Sequence, residues 1–527
     1  MKTFENFPSE CLREIFLCLE DDYLELYNCL LVNRFWCQQV VPLLWRDPFR
    51  NLPYITGERA DRFSHSLCGS YISALNEDEL NIMHSHDRRH NLPAPSFQYS
   101  LYLRKLIFSD IQTIVMSWFK IRMSHVKSDH NDSPRIKLIT AAIIRLILRT
   151  SCLREVEISD HFITRGILES IPSSSYQQAF SQLRNLKVHV GSFPSFAGLL
   201  KDLPKLCTHL EEIEYVIERS ASHFEIIDSS VNIMSAQRNL KKVSMNIACS
   251  SMQGKILSAV NLHKESLISL SLTDIDLSIV NLNRIAECTR LESLCFYSCR
   301  GIITNGCRKL LRSSSIQLKS LTFEKNQFSD ENLIATLVEK AGKSLLNLSV
   351  DELSVEIVDA LVKFCPKIEE LTLFYEFQDL DAFLRYFKKS SINRFTIISD
   401  IMSDATIILN VLGKHIPPNL ETINICGYFD PESFEKFLSD YSHSPSTSLR
   451  NFFIKDFDGH SAKYLKALKD YARFKNTLKS VIIEPGLGIT DEVLDVAQSI
   501  KELGIDVSFL NHLSSIDVCA LRESLTL

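Results

Sequence analysis

The sequence predicts an α/β protein: a small three-helix N-terminal domain, then a curved solenoid of strand–helix repeats with a parallel sheet on its concave side. Three observations predict it. An apolar register, Leu-x-x-Leu-x-Leu, returns thirteen times after residue 150. Its copies lie 23 to 30 residues apart, which is room for one strand and one returning helix. The first 48 residues hold two of the chain's three tryptophans, Trp36 and Trp45, in a helical pattern that the repeat does not share.

The N-terminal helices come first. "FPSECLREIFLCLEDD" opens with Pro8, which suits a first helical turn because its missing N–H has no partner there. Leu12, Ile15, Phe16 and Leu19 follow at i, i+3, i+4 and i+7 as one apolar stripe. Asp21 and Asp22 can stop that helix and cap the next, "YLELYNCLLV". "NRFWCQQVV" reads as a third helix, which Pro42 is expected to end before "LLW". Three helices in about 40 residues sit at the lower limit of independent stability, so such a unit leans on something else.

This stretch resembles an F-box over about residues 4–48. The matching residues are Phe7, Pro8, Glu10, Leu12, Ile15, Phe16 and Leu19, then Val32, Asn33, Arg34 and Trp36, and finally Leu44 and Trp45. Phe7 stands where the family usually has Leu, Cys11 precedes Leu12, and Asn33 takes a position the family gives to Cys or Ser. The resemblance implies docking on a Skp-type adaptor of a cullin–RING ubiquitin ligase. It further implies that Pro8, Leu12, Ile15, Phe16, Leu19, Val32, Trp36, Leu44 and Trp45 form the adaptor-binding set, with both tryptophans completing a shared core.

Residues 51–150 read as a mostly helical linker that caps the solenoid. Ser70–Asp87 has a helical pattern, "RHNLPAPSFQYS" reads as a loop, and "LRKLIF" from Leu103 reads as an irregular first strand. Helices are expected over Ile111–Val126 and Arg135–Thr150, with an exposed loop at Lys127–Arg135 between them.

The repeats occupy residues 151–508. The register begins at Leu153, Leu183, Leu210, Leu240, Leu267, Leu291, Leu318, Leu345, Ile368, Ile392, Leu420, Leu449 and Leu478. A unit alone cannot bury both its strand and its helix stripe, whereas stacked units bury them continuously. "SDENLIATLVEKAG" shows the helical part, with Ser329 at the N-cap, Leu333, Leu337 and Val338 on one face, and Gly342 as the stop. The array resembles the leucine-rich repeat family, in its cysteine-containing or ribonuclease-inhibitor-like varieties. Cys299 and Asn326 stand where such repeats satisfy the turn backbone. Residues 509–527 are expected to cap or trail from the far end.

Several function classes are disfavoured. A net charge of −6 with pI near 6.2 gives no general attraction to nucleic acid or an anionic membrane. The most apolar later segment, Leu138–Leu148, is about half a membrane span and contains Arg145. "MKTFENFPSE" lacks a signal-peptide core, so an intracellular place, cytoplasmic and/or nuclear, is expected. Fifteen scattered cysteines with no Cys-x-x-Cys read as buried hydrophobes in a reducing compartment. His84, His86, Asp87 and His90 lack a second ligand pair for zinc. "GKS" at Gly342–Ser344 lacks the earlier glycine of a phosphate loop, and "GLG" at Gly486–Gly488 lacks the third glycine of a dinucleotide fingerprint. No catalytic residue, metal or cofactor is therefore expected.

What remains is a surface. Strand alternation turns the third, fifth and seventh positions of each register away from the leucines. This selects Lys187, His189, Tyr297, Phe374, Phe453 and Lys455 as candidates for binding a target protein, with the three aromatics as anchors. An F-box ahead of leucine-rich repeats resembles the substrate receptors of SCF-type ligases, which implies a non-catalytic adaptor. The alternative is a repeat scaffold or inhibitor without ligase activity.

Overall fold

A computed structural model describes residues 8–20, 22–50, 52, 57–77, 79, 95–123, 133–159, 176–191, 196–218, 224–248, 250–278, 282–301, 317–327, 332–377, 380–398, 406–413, 415–443, 449–486 and 488–509. The chain divides into two compact units, Met1–Leu267 and Ile268–Leu527.

The first unit begins with α1 (Ser9–Leu17), α2 (Tyr23–Leu30) and α3 (Arg34–Leu44). Asp22 caps α2 by accepting from the Glu25 N–H at 3.0 Å, and Asn33 caps α3 by accepting from the Trp36 N–H at 2.8 Å. Asn33, a departure from the F-box pattern, thus serves as a helix cap. Pro42 does not end α3, contrary to expectation; the helix runs on to Leu44. Burial of Val40, Val41, Leu43 and Leu44 along α3 outweighs the single ladder bond that the proline gives up.

Next come α4 (Gly57–Ile72), β1 (Lys105–Ile107), α5 (Phe108–Met123) and α6 (Ser133–Thr150). The helix expected over Ser70–Asp87 is instead split. α4 ends at Ile72, a turn follows, and Asn76 and Glu79 open a new start by exchanging side-chain and backbone bonds at 2.8 and 3.0 Å. Glu79 also takes a bidentate pair from Arg149 of α6 at 2.8 and 3.0 Å. Then follow β2 (Glu155–Ser159), α7 (Tyr176–Phe180), β3 (Asn185–Val190), α8 (Ala197–Leu206), β4 (Glu212–Ile217), α9 (Phe224–Ser235), β5 (Lys242–Ile247) and α10 (Ser250–Val260). Strands β1 to β5 pair in parallel in chain order.

The second unit continues the pattern with ten strands among its described residues, again parallel and in chain order. They are β6 (Ser269–Thr273), β7 (Ser293–Tyr297), β8 (Ser320–Glu324), β9 (Asn347–Leu353), β10 (Glu370–Phe377), β11 (Arg394–Ile398), β12 (Thr422–Gly427), β13 (Asn451–Asp456), β14 (Ser480–Pro485) and β15 (Asp506–Phe509). Its helices are α11 (Asn332–Ala341), α12 (Val355–Phe364), α13 (Leu380–Phe387), α14 (Thr406–Leu412), α15 (Pro431–Ser442), α16 (Ser461–Lys475) and α17 (Asp491–Lys501).

Every one of the thirteen register starts precedes a strand by two residues, from Leu153 before β2 to Leu478 before β14. Those thirteen leucines and isoleucines are all buried. One backbone device recurs between successive rungs within each unit. The carbonyl just before a strand accepts two consecutive N–H groups of the following strand, as Arg184 does from Glu211 and Glu212 at 2.7 and 3.1 Å.

The turns after β6, β7 and β8 share a left-handed residue, Asp274, Ser298 and Lys325, with φ of 56°, 52° and 54°. The residue that follows closes the turn. Asn326 accepts from the Cys299 N–H at 2.8 Å and donates to the Phe296 carbonyl at 2.9 Å, while the Cys299 thiol reaches the Leu272 carbonyl at 3.3 Å. Burial pushes that thiol's pKa up to about 12, so it acts as a turn donor. Gly342, at φ 49°, ends α11, while Ser329 lies outside the described residues.

Candidate functional site

Two surfaces can carry recognition: the N-terminal bundle and the sheet face opposite the helices.

In the bundle, Leu12, Phe16, Leu26, Val40, Leu43 and Leu44 form the core, with Leu19, Trp36 and Trp45 packed against it. Leu12, Phe16 and Leu44 were expected at the adaptor surface. They are instead interior, because the i, i+4 stripe of α1 turns inward onto α3. Trp36 meets Phe16 edge-on, with ring centroids 5.1 Å apart. Trp45 stacks on Tyr99 at 4.0 Å and meets Tyr71 of α4 edge-on at 5.8 Å. Its ring therefore joins the bundle to the segment that follows it.

The outer side is apolar too. Pro8, Ile15 and Val32, of the set that the F-box resemblance implies, are exposed. The helix expected at "YLELYNCLLV" is present as α2, but its outward apolar face was not legible from the sequence. Tyr23, Leu26 and Leu30 face in, whereas Leu24, Tyr27 and Leu31 stand out at i, i+3 and i+7, Leu31 being 74% exposed. A helix apolar on both sides was the available signal. On α1 and its C-cap, Cys11, Ile15 and Cys18 form a comparable outward row.

The open sheet face differs between the units. In the first, Lys187 Nζ pairs with Glu214 at 3.2 Å and His189 Nε2 with Glu218 at 3.4 Å. Lys105 pairs with Glu155 at 2.8 Å and Lys242 with Glu212 at 3.7 Å, so this face is laced with cross-strand ion pairs.

In the second unit, Tyr297 is half-buried, with the Lys325 ammonium 5.6 Å from its ring centroid. Phe374 lies in β10 opposite Ile398, and its side chain is outside the described residues. Phe453 is no exposed anchor: it is 1% exposed, flanked in register by Asn424 and Ile482. The fifth-position row Cys295, Thr322, Ser349, Thr372, Thr396 and Asn424 is buried likewise. Parallel strands about 4.8 Å apart set each of these side chains between two neighbours and two more of its own strand, which removes most of its access to water. Lys455 is engaged as well. Its ammonium pairs with the buried Glu484 at 2.9 Å and lies 5.6 Å from the centroid of Phe457, which is exposed.

Among the described residues there is no group of three His, Cys, Asp or Glu placed to hold a metal, and no helix long and apolar enough to cross a membrane. The His84–His90 cluster lies outside the described residues. Gly486 fits the Asp456 carbonyl too closely to admit a Cβ, which accounts for a glycine at the start of "GLG" without a nucleotide.

No known family profile and no curated protein matches the chain. Among solved structures it is similar to the leucine-rich repeat-containing protein LegL7 from Legionella pneumophila. That match has TM-score 0.31 and 11% identity, covering 64% of this chain and 93% of that one. It is also similar to an internalin, inlF, from Listeria monocytogenes, with TM-score 0.30 and 13% identity, covering 70% and 84%. The repeat architecture itself is read from the register, rungs and turns described above.

Proposed function

We propose that this chain is the substrate-recognition subunit of an SCF-type ubiquitin ligase. In this reading the N-terminal bundle docks a Skp-type adaptor, and through it a cullin–RING ligase, while the repeats hold a target protein. The observation that carries the reading is the outward apolar row Leu24, Tyr27 and Leu31 with Ile15 and Val32, in a bundle whose sequence resembles an F-box. An apolar row left in water marks an interaction site. The chain would contribute no catalytic group. It would raise the effective concentration of a target lysine near charged ubiquitin, in the cytoplasm or nucleus.

A second reading has its own support. The Arg46 carbonyl accepts the Arg104 and Lys105 N–H groups at 2.9 and 3.1 Å, repeating the rung geometry, so the bundle also serves as the cap of β1. A repeat scaffold needs no more than that cap.

Co-expression of the full chain with a Skp-type adaptor separates the two. Deleting residues 1–50 would bare β1, so the informative variant is Leu24→Glu/Leu31→Glu, which changes only exposed side chains. Stoichiometric co-purification that this variant abolishes, with unchanged melting temperature, supports the ligase reading. A well-folded wild-type chain that does not co-purify leaves the scaffold.

A further inference from the structure

We propose that a cavity at the N-terminal ends of β1 and β2 binds clustered phosphate groups. The cavity, about 710 Å³, is lined by Arg13, Arg46, Arg104 and Arg154 among other residues, and its volume is that of a small-ligand site. Its position follows from the rung geometry. The Arg46 carbonyl accepts from Arg104 and Lys105, and the Arg104 carbonyl accepts from Arg154 and Glu155. Arg46, Arg104 and Arg154 therefore occupy one place in three successive rungs, about 4.8 Å apart. Arg13 reaches the same cavity from α1.

The charge there is not balanced. Six basic and three acidic side chains line the cavity, in a chain whose net charge is −6. Arg46 is matched by Glu20 at 2.6 Å and Lys105 by Glu155 at 2.8 Å. Arg104 Nη1 donates to two backbone carbonyls, Leu101 and Leu103, at 2.9 and 2.8 Å, which engages two of its N–H groups without cancelling its charge. Arg13 and Arg154 have no acidic partner among the described residues. Burial, together with the like charges of Arg154 and Arg46, lowers the pKa of Arg104.

Guanidinium groups brought together at such a cost suit a ligand that neutralises several of them at once. Phosphate does so through paired N–H···O bonds, and a row of arginines at strand spacing suits more than one phosphate. Free polyphosphates and a multiply phosphorylated protein segment share this chemistry.

The test is calorimetric titration of the full chain with tripolyphosphate and, separately, with a peptide carrying two adjacent phosphoserines. The variant Arg13→Gln/Arg154→Gln is compared with Lys205→Gln/Lys463→Gln, which removes the same charge from exposed positions elsewhere. Saturable binding by wild type is expected to weaken roughly a hundredfold in the arginine variant, about tenfold per lost charged hydrogen-bonding group. The lysine variant should bind like wild type, and unliganded melting temperatures should not change. Tighter binding of tripolyphosphate assigns the site to a free ligand, and tighter binding of the peptide assigns it to a phosphorylated segment. Absence of binding by wild type at millimolar probe overturns the proposal, as does equal weakening in the two variants. Neither outcome bears on adaptor docking, which uses the outer side of α2.

Discussion

The open sheet faces of the two units obey the same alternation and differ in what they expose. In the first unit the fifth position carries Glu157, Lys187, Glu214 and Ser244, all half-buried, and long side chains reach over their neighbours to pair across strands. In the second it carries Cys295, Thr322, Ser349, Thr372, Thr396, Asn424 and Phe453, all buried, between half-buried Ser271 and Ile482 at the two ends of the row. There the polar atoms bond sideways, Asn424 Nδ2 to Thr396 Oγ1 at 2.9 Å and Ser349 Oγ to Glu324. A shared backbone register thus yields one charged, wet surface and one tightly packed seam, and side-chain length decides which.

Breaking that contrast should have its largest effect in the packed seam. Phe453→Ala is expected to cost about 3–4 kcal/mol of stability, the usual cost of emptying an aromatic core site. Urea unfolding of the variant checks this; an unchanged midpoint would return Phe453 to the surface.

The ion pairs sharpen the comparison. Lys455→Ala leaves the Glu484 carboxylate buried beside Cys426, and should cost about 3 kcal/mol at pH 7. Lys187→Ala, at a half-exposed pair, should cost about 0–1 kcal/mol and lose most of that in high salt. Matched unfolding curves at low and high salt test both, and equal costs would erase the distinction between the faces.

A separate effect is one of pH. Burial first, then the charges of Asp47 and Glu157, push the Asp110 carboxyl up to about 7. The folded chain keeps this proton to near neutrality, whereas the unfolded chain releases it near 4, so stability falls as pH rises between those values. Asp110→Asn should raise the urea midpoint at pH 8, by about 1–2 kcal/mol in free energy, and leave it unchanged near pH 4. A gain of equal size at both pH values would show that titration of Asp110 is not its source.

Much of the fold was legible because repetition is local. Each leucine register specifies its own strand, so thirteen starts could be placed without knowing how the units stack. The turn residues Cys299 and Asn326 were legible for the same reason. The candidate site was less so. The alternation rule gave the side of the sheet for Lys187 and Phe453 alike, but how deep each sits depends on what stands in register beside it. The stripe of Leu12 and Phe16 named a helical face without saying whether that face meets α3 or a partner. Leu24, Tyr27 and Leu31 escaped notice because an apolar residue on a short helix looks like core until the core is seen to be full.

The amino-acid sequence by itself determined the repeat, its period, its strand positions and the capped helices of the N-terminus, since apolar spacing and capping act over a few residues. Only the tertiary structure decided which apolar side chains remain outside, that Trp45 stacks on Tyr99, and that Arg46, Arg104 and Arg154 share a cavity. Those outcomes depend on residues tens of positions apart meeting in space, and on competition among side chains for the same buried volume.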